Sequence, residues 1–453
     1  MRADAPVPSM EQCREIFDRV QAAAKSLGVP EVELLMGARA EALTRFANNT
    51  IHQNVAEQAN FLSVRTLLEK RTARATTNRL DPDSIRDVVA QAVTLTKAAA
   101  PNDDVLPLAA AHPVAPVSRF DPATAGTTPE DRARPVAEAI RLVEGAAQTA
   151  AGIYSTEHEV EAIFNSDGAA AWHSETMARF SITAIARDSS GWAKASATAR
   201  GALDPLHLAR SACEKANLSR APRELPPGDY VVILEPAATL DLVGQMFADF
   251  SATALEDQHS FLTGRLGTKM FGGNIHIADD CRHPLQSGAP FDGEGVPRRR
   301  LALVSGGVAR EVAYSRASAR RAGVEPTGHG FALPNDVGEA PMNIVIEGGS
   351  TSLDEMIAST GRGILVTRLW YIREVDPYEK IMTGMTRDGT FLIEGGRLVC
   401  GLKNFRFNQS LVELLNKVEA MSPPVRASGE EAIDMVVPAM KVRDFHFTEL
   451  TKF

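Results

Sequence analysis

Two proline-rich segments divide the chain and limit what it can fold into. The first, residues 100–130, places six prolines among alanines and small polar residues, and the second is the stretch APRELPPGD at residues 221–229. Proline lacks a backbone N–H and fixes φ, so such segments interrupt helices and central strands and are typical of extended linkers. The sequence therefore predicts an N-terminal domain at 1–100, a linker at 101–129, a central domain at 130–220 and a C-terminal domain at 229–453.

Residue patterning inside the first two parts predicts alternating helices and strands. Apolar residues at helical spacing predict a first helix that ends before Gly28 and Pro30, and a second helix that begins at Pro82. Strand patterns lie at 32–36, 43–46 and 61–68. The central part reads as a helix at 130–147, an antiparallel meander of strands at 154–165, 170–187 and 192–199, and a helix at 205–218. These patterns predict an α+β fold, with an N-terminal α/β unit and a central meander flanked by helices.

The third and largest part is predicted to be rich in strands. A buried strand pattern at 230–234 precedes a helix at about 236–250. Turn sequences at 305–307 (SGG) and 394–396 (EGG) each separate two strand-like runs and predict hairpins. We find no internal repeat.

Charge and composition exclude several classes of function. The formal charge is -9 and aromatic residues make up 6% of the chain, which argues against a nucleic-acid partner. No apolar run approaches the roughly 20 residues of a membrane helix, and the N-terminus, MRADAPVPSMEQ, lacks the apolar core of a secretory signal. The four cysteines are far apart in the sequence and form no C-x-x-C pair. We expect a cytoplasmic protein with reduced thiols.

Two histidine-containing segments are candidates for a metal site. His158-Glu159 begins like a zinc-protease motif, but Ala162 and Ile163 stand where the second histidine is needed. The segment 276–283 contains two histidines, two aspartates and one cysteine, but its spacing matches no established zinc pattern. A structural role is the simpler interpretation of both.

Nucleophilic and phosphate-binding motifs are absent or broken. There is no G-x-S-x-G sequence, and the run Gly264 to Lys269 lacks the Gly-Lys-Ser/Thr order of a phosphate loop. The arginine run 298–300 is short and is interpreted as a solvated strand edge. Residue types and spacing alone thus leave a soluble multidomain α+β chain without an assigned activity.

Five motifs in the C-terminal half carry a family resemblance. They are GRLG at 264–267, IHIADD at 275–280, FDGEGVP at 291–297, GRGILVT at 361–367 and TFLIEGG at 390–396. In this order they resemble the TldD/PmbA family of peptidases and peptidase subunits, once named modulators of DNA gyrase. The resemblance spans about residues 30–450 and implies a C-terminal β-rich domain of the TldD/PmbA type.

The resemblance implies a heterodimer in which a TldD-like subunit holds zinc through a His-Glu-x-x-x-His helix and a downstream cysteine. The motif positions fall here on Val243, Gly244 and Ala248, and the cysteine position falls near Met385. The first three offer no side-chain lone pair and methionine is a poor zinc ligand, so this chain resembles the TldE-like (PmbA) subunit. We therefore expect no metal ligands, catalytic residues or cofactor in this chain, and zinc in its partner.

The family's chamber for unfolded peptides suggests four candidate substrate contacts, His259, His329, Arg362 and Arg368. For each of them a surface salt bridge, a tight turn or a solvent-facing position is an equally good interpretation. The predicted function is the zinc-free subunit of a metallopeptidase that acts on small or unfolded peptides or on peptide-tagged metabolites, as in peptide maturation. Two alternatives are a non-catalytic binding or regulatory protein of the same family, and an independent hydrolase that uses another site such as 276–283.

Overall fold

The computed structural model describes residues 7–451. The predicted N-terminal domain (1–100) and C-terminal domain (229–453) therefore each extend a few residues beyond this range, as does the first half of the segment MRADAPVPSMEQ. The helices are α1 (Met10–Ser26), α2 (Pro82–Ala98), α3 (Pro122–Ala125), α4 (Pro129–Gly145), α5 (Pro205–Leu218), α6 (Pro236–Val243), α7 (Ala252–Glu256), α8 (Arg316–Ala322), α9 (Leu353–Ala358) and α10 (Leu411–Asn416). The strands are β1 (Glu31–Ala47), β2 (Thr50–Leu68), β3 (Arg71–Thr77), β4 (Thr149–Asn165), β5 (Ala170–Ile185), β6 (Ser190–Ala197), β7 (Gly228–Leu234), β8 (Ile277–Asp279), β9 (Leu301–Ser305), β10 (Val308–Ala309), β11 (Ile344–Ile346), β12 (Arg362–Asp376), β13 (Ile381–Glu394), β14 (Arg397–Gly401), β15 (Phe405–Ser410), β16 (Val418–Met421), β17 (Val425–Ala427), β18 (Met435–Val437) and β19 (Met440–Leu450). The α+β prediction is confirmed.

One antiparallel sheet unites the first two parts of the chain. Its strand order is β3-β2-β1-β4-β5-β6, and β1 pairs with β4 from Glu33↔Asn165 to Phe46↔Gly152. The predicted boundary at 101–129 therefore separates two stretches of sequence that share one sheet. The two short strands predicted at 32–36 and 43–46 are one long strand, which turns at Asn48 and Asn49, both at positive φ, into β2.

The two faces of this N-terminal sheet differ in chemistry because side chains alternate along each strand. Even-numbered residues of β4, such as Tyr154, Val160 and Phe164, are buried and belong to the apolar clusters formed with α1, α2, α4 and α5. Odd-numbered residues of β4 include Glu157, Glu159 and Glu161. The helices thus cover the apolar face, and the opposite, charged face is turned toward the C-terminal part.

The proline-rich segment 101–129, which was predicted to be an extended linker, is held against the rest of the protein. Leu106 and Leu108 are buried. Arg119 is also buried, and its guanidinium donates hydrogen bonds to the carbonyl oxygens of Gly288 (2.5 Å) and Cys281. Buried backbone oxygens of the C-terminal part thus find their donor in this segment.

The C-terminal part contains a closed barrel and a second, smaller sheet. Strands β12, β7, β19, β15 and β13 pair in that order, and β13 pairs again with β12, which closes the ring. Four phenylalanines, Phe405, Phe407, Phe445 and Phe447, pack against one another in its core with tilted and edge-on rings. The second sheet has the order β10-β9-β8-β11-β18-β17. Among the helices of residues 7–451, none combines the length and apolar character that a membrane crossing requires.

Candidate functional site

Helix α6 carries the positions at which the family resemblance places a zinc motif. It follows β7 directly, begins at Pro236, and continues after Val243 as a 3-10 turn over Gly244–Asp249. Its residues 238–243 are all buried, and two of them are polar, Thr239 and Asp241. A helix that is buried all round is a core element.

The four motif positions do not fit zinc. Val243 is fully buried in the main apolar cluster, and Ala248 is exposed. A Cβ atom at residue 244 would lie only 2.6 Å from the Cβ of Ala432, so Gly244 leaves no room for a ligand side chain. Met385 lies half-buried on β13, opposite Trp370 of β12. Three protein donors are the minimum of a catalytic zinc site, and these positions supply none of the usual nitrogen, oxygen or thiolate donors.

A segment that we call the acidic loop, residues 429–434, covers this end of α6. Asp241 Oδ1 accepts hydrogen bonds from the backbone N–H groups of Glu430 and Glu431, both 2.9 Å long. Gln245 Nε2 donates to the carbonyl oxygen of Glu431 (3.1 Å). A Cβ atom at residue 429 would overlap with Asp241 Oδ1, so only glycine allows this approach.

Asp241 is unusual because its second carboxylate oxygen is buried without a hydrogen-bond partner among residues 7–451. Burial raises the pKa of Asp241 to about 6, although the two backbone N–H groups lower it. The contact between α6 and the acidic loop therefore includes a carboxyl group whose charge depends on pH near neutrality.

A cavity of about 540 Å³ lies between the acidic loop and the charged face of the N-terminal sheet. Its walls come from β4, β5 and β6, from the loop 286–289, and from residues 342–343 and 426–434. Four cationic side chains line it, those of Arg179, Lys194, Arg298 and Arg426. Three acidic side chains also line it, those of Glu161, Glu430 and Asp434.

Three of the four cations are paired with carboxylates. Arg426 Nη2 is 3.1 Å from Asp434 and also donates to the Ser287 hydroxyl, while Nε donates to Ser196 and Nη1 to the Leu285 carbonyl oxygen. Lys194 Nζ is 3.3 Å from Glu430 and 2.6 Å from the Gly429 carbonyl oxygen. Arg179 is 2.7 Å from Glu157 on β4. These ion pairs hold the walls of the cavity in place and neutralise most of the positive charge that lines it.

Arg298 and Glu161 are the two charged groups of the cavity that remain unpaired. Arg298 Nε donates to the Phe291 carbonyl oxygen (3.2 Å), whereas its Nη1 is buried and has no hydrogen-bond partner within residues 7–451. The Glu161 side chain forms no hydrogen bond or ion pair with any residue in the same range. Burial and the neighbouring Glu175 raise the pKa of Glu161, against the attraction of Arg298.

The four predicted substrate contacts all lie outside the lining of this cavity. His259 and Arg362 are exposed, the first after α7 and the second at the start of β12. His329 is fully buried, with its Nε2 atom 3.0 Å from Asp279 Oδ1 and its Nδ1 atom 2.9 Å from Thr327. The Gly-His-Gly turn thus places His329 against Asp279 in the interior. Burial acts to raise the pKa of Asp279, but the adjacent His329 imidazole lowers it.

Arg368, the remaining predicted contact, also has internal partners. Its guanidinium pairs with Asp388 and lies over the ring of Trp192 at 4.8 Å. Trp192 belongs to β6 and Arg368 to β12, so this contact joins the N-terminal sheet to the barrel. Its buried position makes Arg368 a packing residue between the two halves of the protein.

The segment 276–283 does not converge on a metal. Asp279 points inward to His329, whereas Asp280 is 3.6 Å from Arg300. His276 Nδ1 accepts a hydrogen bond from the Gly306 N–H, and His283 Nδ1 accepts one from the Leu285 N–H. Throughout residues 7–451, no three His, Cys, Asp or Glu side chains are grouped as a metal site would require.

The sequence analysis missed the cavity because its residues come from distant segments. It interpreted Arg298 with Arg299 and Arg300 as an exposed run, which is correct for the latter two, but Arg298 is partly buried. The signal that could have revealed the cavity is the alternation in β4, where every second residue from Glu157 to Glu161 is acidic in a strand with an apolar opposite face.

Comparison with known proteins identifies similar chains over most of this length. Residues 129–220 match the family model for the central domain of PmbA/TldA metallopeptidases, and residues 227–449 match the model for their C-terminal domain. A protein named metalloprotease from Methanothermobacter thermautotrophicus is 26% identical over 318 residues, which are 64% of this chain and 68% of that protein. Metalloprotease PmbA of Escherichia coli O157:H7 is 25% identical over 228 residues, which span about half of each chain (49%).

Solved structures share the whole fold. The crystal structure of TldE from Thermococcus kodakarensis matches 96% of this chain and 100% of its own length, with a TM-score of 0.86 at 19% identity. A Thermotoga maritima protein described as a modulator of a DNA gyrase matches the same shares, with a TM-score of 0.83 at 21% identity. At such identities the likeness establishes the fold and leaves the activity open.

Proposed function

This chain belongs to the PmbA/TldD family, and from that membership we propose that it is the zinc-free, TldE-like subunit of a two-subunit metallopeptidase. Its partner would be a paralogue that carries the His-Glu-x-x-x-His helix and the downstream cysteine. We place this assembly in the cytoplasm, with small or unfolded peptides or peptide-tagged metabolites as its substrates.

The observation that carries the proposal is the packing around α6. Val243 is buried in the apolar core, and the acidic loop lies against Gly244. Zinc hydrolysis needs three protein ligands, an open position for water and a general base. A chain that buries Val243 in its core and packs a loop against Gly244 is suited to supporting a partner's site rather than to forming its own.

The contribution of this chain is then a rigid wall of the peptide-binding cleft. The Arg368–Asp388 pair and the Trp192 ring fix the N-terminal sheet against the barrel, and Lys194 ties the same sheet to the acidic loop. These contacts keep the surface that would bind the partner in a single conformation, which lowers the entropic cost of binding.

The test is co-expression with a paralogue that has the zinc motif. We expect the two chains to copurify at a 1:1 ratio and the pair to cleave an unstructured peptide at least about tenfold faster than the paralogue alone, because an incomplete cleft loses transition-state binding. The matched control is the same pair with the glutamate of the partner's motif replaced by glutamine, which should assemble but not cleave.

Failure to copurify, or full activity of the paralogue alone, contradicts the subunit proposal. Peptide binding by this chain in the absence of any assembly would instead support the alternative of a non-catalytic binding protein of the same family. No arrangement of residues 276–283 favours the independent hydrolase, because their side chains diverge.

A further inference from the structure

We propose that the cavity between the N-terminal sheet and the acidic loop binds a zwitterionic ligand, a free amino acid or short peptide with an apolar side chain. Its ammonium group would contact Glu161 and its carboxylate would contact Arg298. This site is additional to the subunit role, because it lies wholly within this chain and none of its lining residues belongs to α6.

The cationic side chains that line the cavity are largely paired with carboxylates. Arg179, Lys194 and Arg426 are each bound to a carboxylate. A polyanion such as phosphate would have to displace those carboxylates, at a cost of several hydrogen bonds. The cavity therefore has no surplus of free cations and does not suit a polyanion.

Glu161 and Arg298 are the two charged side chains of the cavity that form no ion pair within residues 7–451. Glu161 projects from β4 and Arg298 from the C-terminal part, and both line the same cavity without forming an ion pair with each other. An unpaired charge held away from bulk water is costly, and one ligand with an ammonium and a carboxylate group would satisfy both. The Arg298 guanidinium also has unused donor capacity, because its buried Nη1 has no hydrogen-bond partner among the described residues.

The volume and the apolar lining of the cavity suit a small molecule. A volume of about 540 Å³ lies within the range of roughly 300–1,000 Å³ that is usual for small-molecule sites. Met342 and Ile433 line the cavity and are 37% and 48% exposed, so they form its apolar surface. A ligand with an apolar side chain would cover these two residues while its charged ends reach the polar walls.

The experiment is isothermal titration calorimetry of the full chain with three forms of one dipeptide, Leu-Leu: free, N-acetylated and C-amidated. We expect the free dipeptide to bind, and each blocked form to bind about 10- to 100-fold more weakly, since each loses one charge-assisted contact. Inorganic phosphate, titrated separately, should not bind. No binding of free Leu-Leu, or equal binding of the acetylated form, overturns the proposal.

Two variants assign the contacts. The Glu161→Gln variant should bind the free dipeptide as weakly as the unaltered protein binds the acetylated form, and acetylation should weaken its binding little further. The Arg298→Gln variant should likewise bind the free dipeptide as weakly as the unaltered protein binds the amidated form, with little further loss on amidation. Arg299→Gln is the matched control, because Arg299 is an exposed neighbour paired with Glu311, and it should bind the free dipeptide normally. Unchanged affinity in both cavity variants overturns the assignment. The three dipeptide forms decide the proposal on the unaltered protein even if a variant does not fold.

Discussion

The acidic loop contacts both α6 and the cavity, and the two contacts differ in how closely they are packed and in how fully their charged groups are paired. On the α6 side, glycines at 244 and 429 let the backbone pack so closely that no further side chain fits. On the cavity side, charged side chains from two halves of the chain line an open volume, and Arg298 and Glu161 form no ion pair within residues 7–451. The side where the family motif predicts chemistry is closed, and the side that no motif marks is open to a ligand.

The strongest way to break this comparison is to install the zinc motif with Val243→His, Gly244→Glu and Ala248→His together. We expect a loss of more than about 4 kcal/mol in the free energy of unfolding, because a side chain at 244 displaces the acidic loop and an imidazole at 243 enters an apolar core. Urea unfolding measures the stability, and metal analysis after dialysis should find no stoichiometric zinc. Ala248→His alone, at an exposed position, should change stability by less than about 0.5 kcal/mol. One tightly bound zinc per chain would show that the loop can open.

The next effect concerns Gly429 alone. In Gly429→Ala the new methyl group would overlap with Asp241 Oδ1, which is buried and held by two N–H groups. We expect a loss of about 3 kcal/mol by urea unfolding. Gly361→Ala, where the methyl group meets open space, should stay within about 1 kcal/mol of the unaltered protein. Equal effects of the two substitutions would mean that the loop is not tightly packed on α6.

The pH dependence of the α6 side should come partly from Asp241. Its pKa is raised to about 6 in the fold, so the unfolded chain ionises first and stability falls as pH rises from about 4 to 6. Asp241→Asn removes this penalty and keeps the oxygen that accepts both N–H groups. The variant should therefore be more stable than the unaltered protein by about 2 kcal/mol at pH 7.5, with the difference vanishing near pH 4.

Urea unfolding of both proteins across this pH range measures the difference. Asp336→Asn, at an exposed position, is the control and should show no such trend. Greater stability of the unaltered protein at pH 7.5 would mean that the charged form of Asp241 is favoured, against the direction stated here.

The smallest effect lies on the cavity side. Lys194→Met removes the donor to the Gly429 carbonyl oxygen and the partner of Glu430, and we expect a loss of about 1 kcal/mol in the free energy of unfolding. Lys417→Met removes a lysine whose Nζ is 4.0 Å from Glu413 on the surface, and should cost less than about 0.5 kcal/mol. If Lys194→Met lowers the free energy of unfolding no more than this control does, Lys194 does not stabilise the contact between the acidic loop and the N-terminal sheet.

Local patterns predicted the elements well where one face of the element is apolar. The first helix ends before Gly28, as predicted, and buries Cys13, Ile16, Phe17, Val20 and Ala24. In α2 the same reasoning expects Leu95 to be buried, but Leu95 is 44% exposed and Thr96 is buried instead, with its hydroxyl 2.6 Å from that of Thr66. A specific hydrogen bond to a distant strand decided that position, and periodicity carries no information about such a partner.

The candidate site was predictable only in part, for a related reason. The residue types at 243, 244 and 248 already exclude strong zinc ligands at the positions that the family resemblance indicates. The cavity could not be predicted, because Glu161, Lys194, Arg298 and the acidic loop are separated by up to 270 residues and meet only after folding.

The sequence by itself determined the α+β class, the family, and the lack of strong zinc donors at the motif positions, since these depend on residue type and short-range spacing. The tertiary structure decided that β1 pairs with β4 across the proline-rich segment, that a loop closes over α6, and that Arg298 faces Glu161 in one cavity. The physical reason is that long-range pairing is selected by the burial of whole faces and the neutralisation of charges between them, and each of these requires a partner that no local pattern specifies.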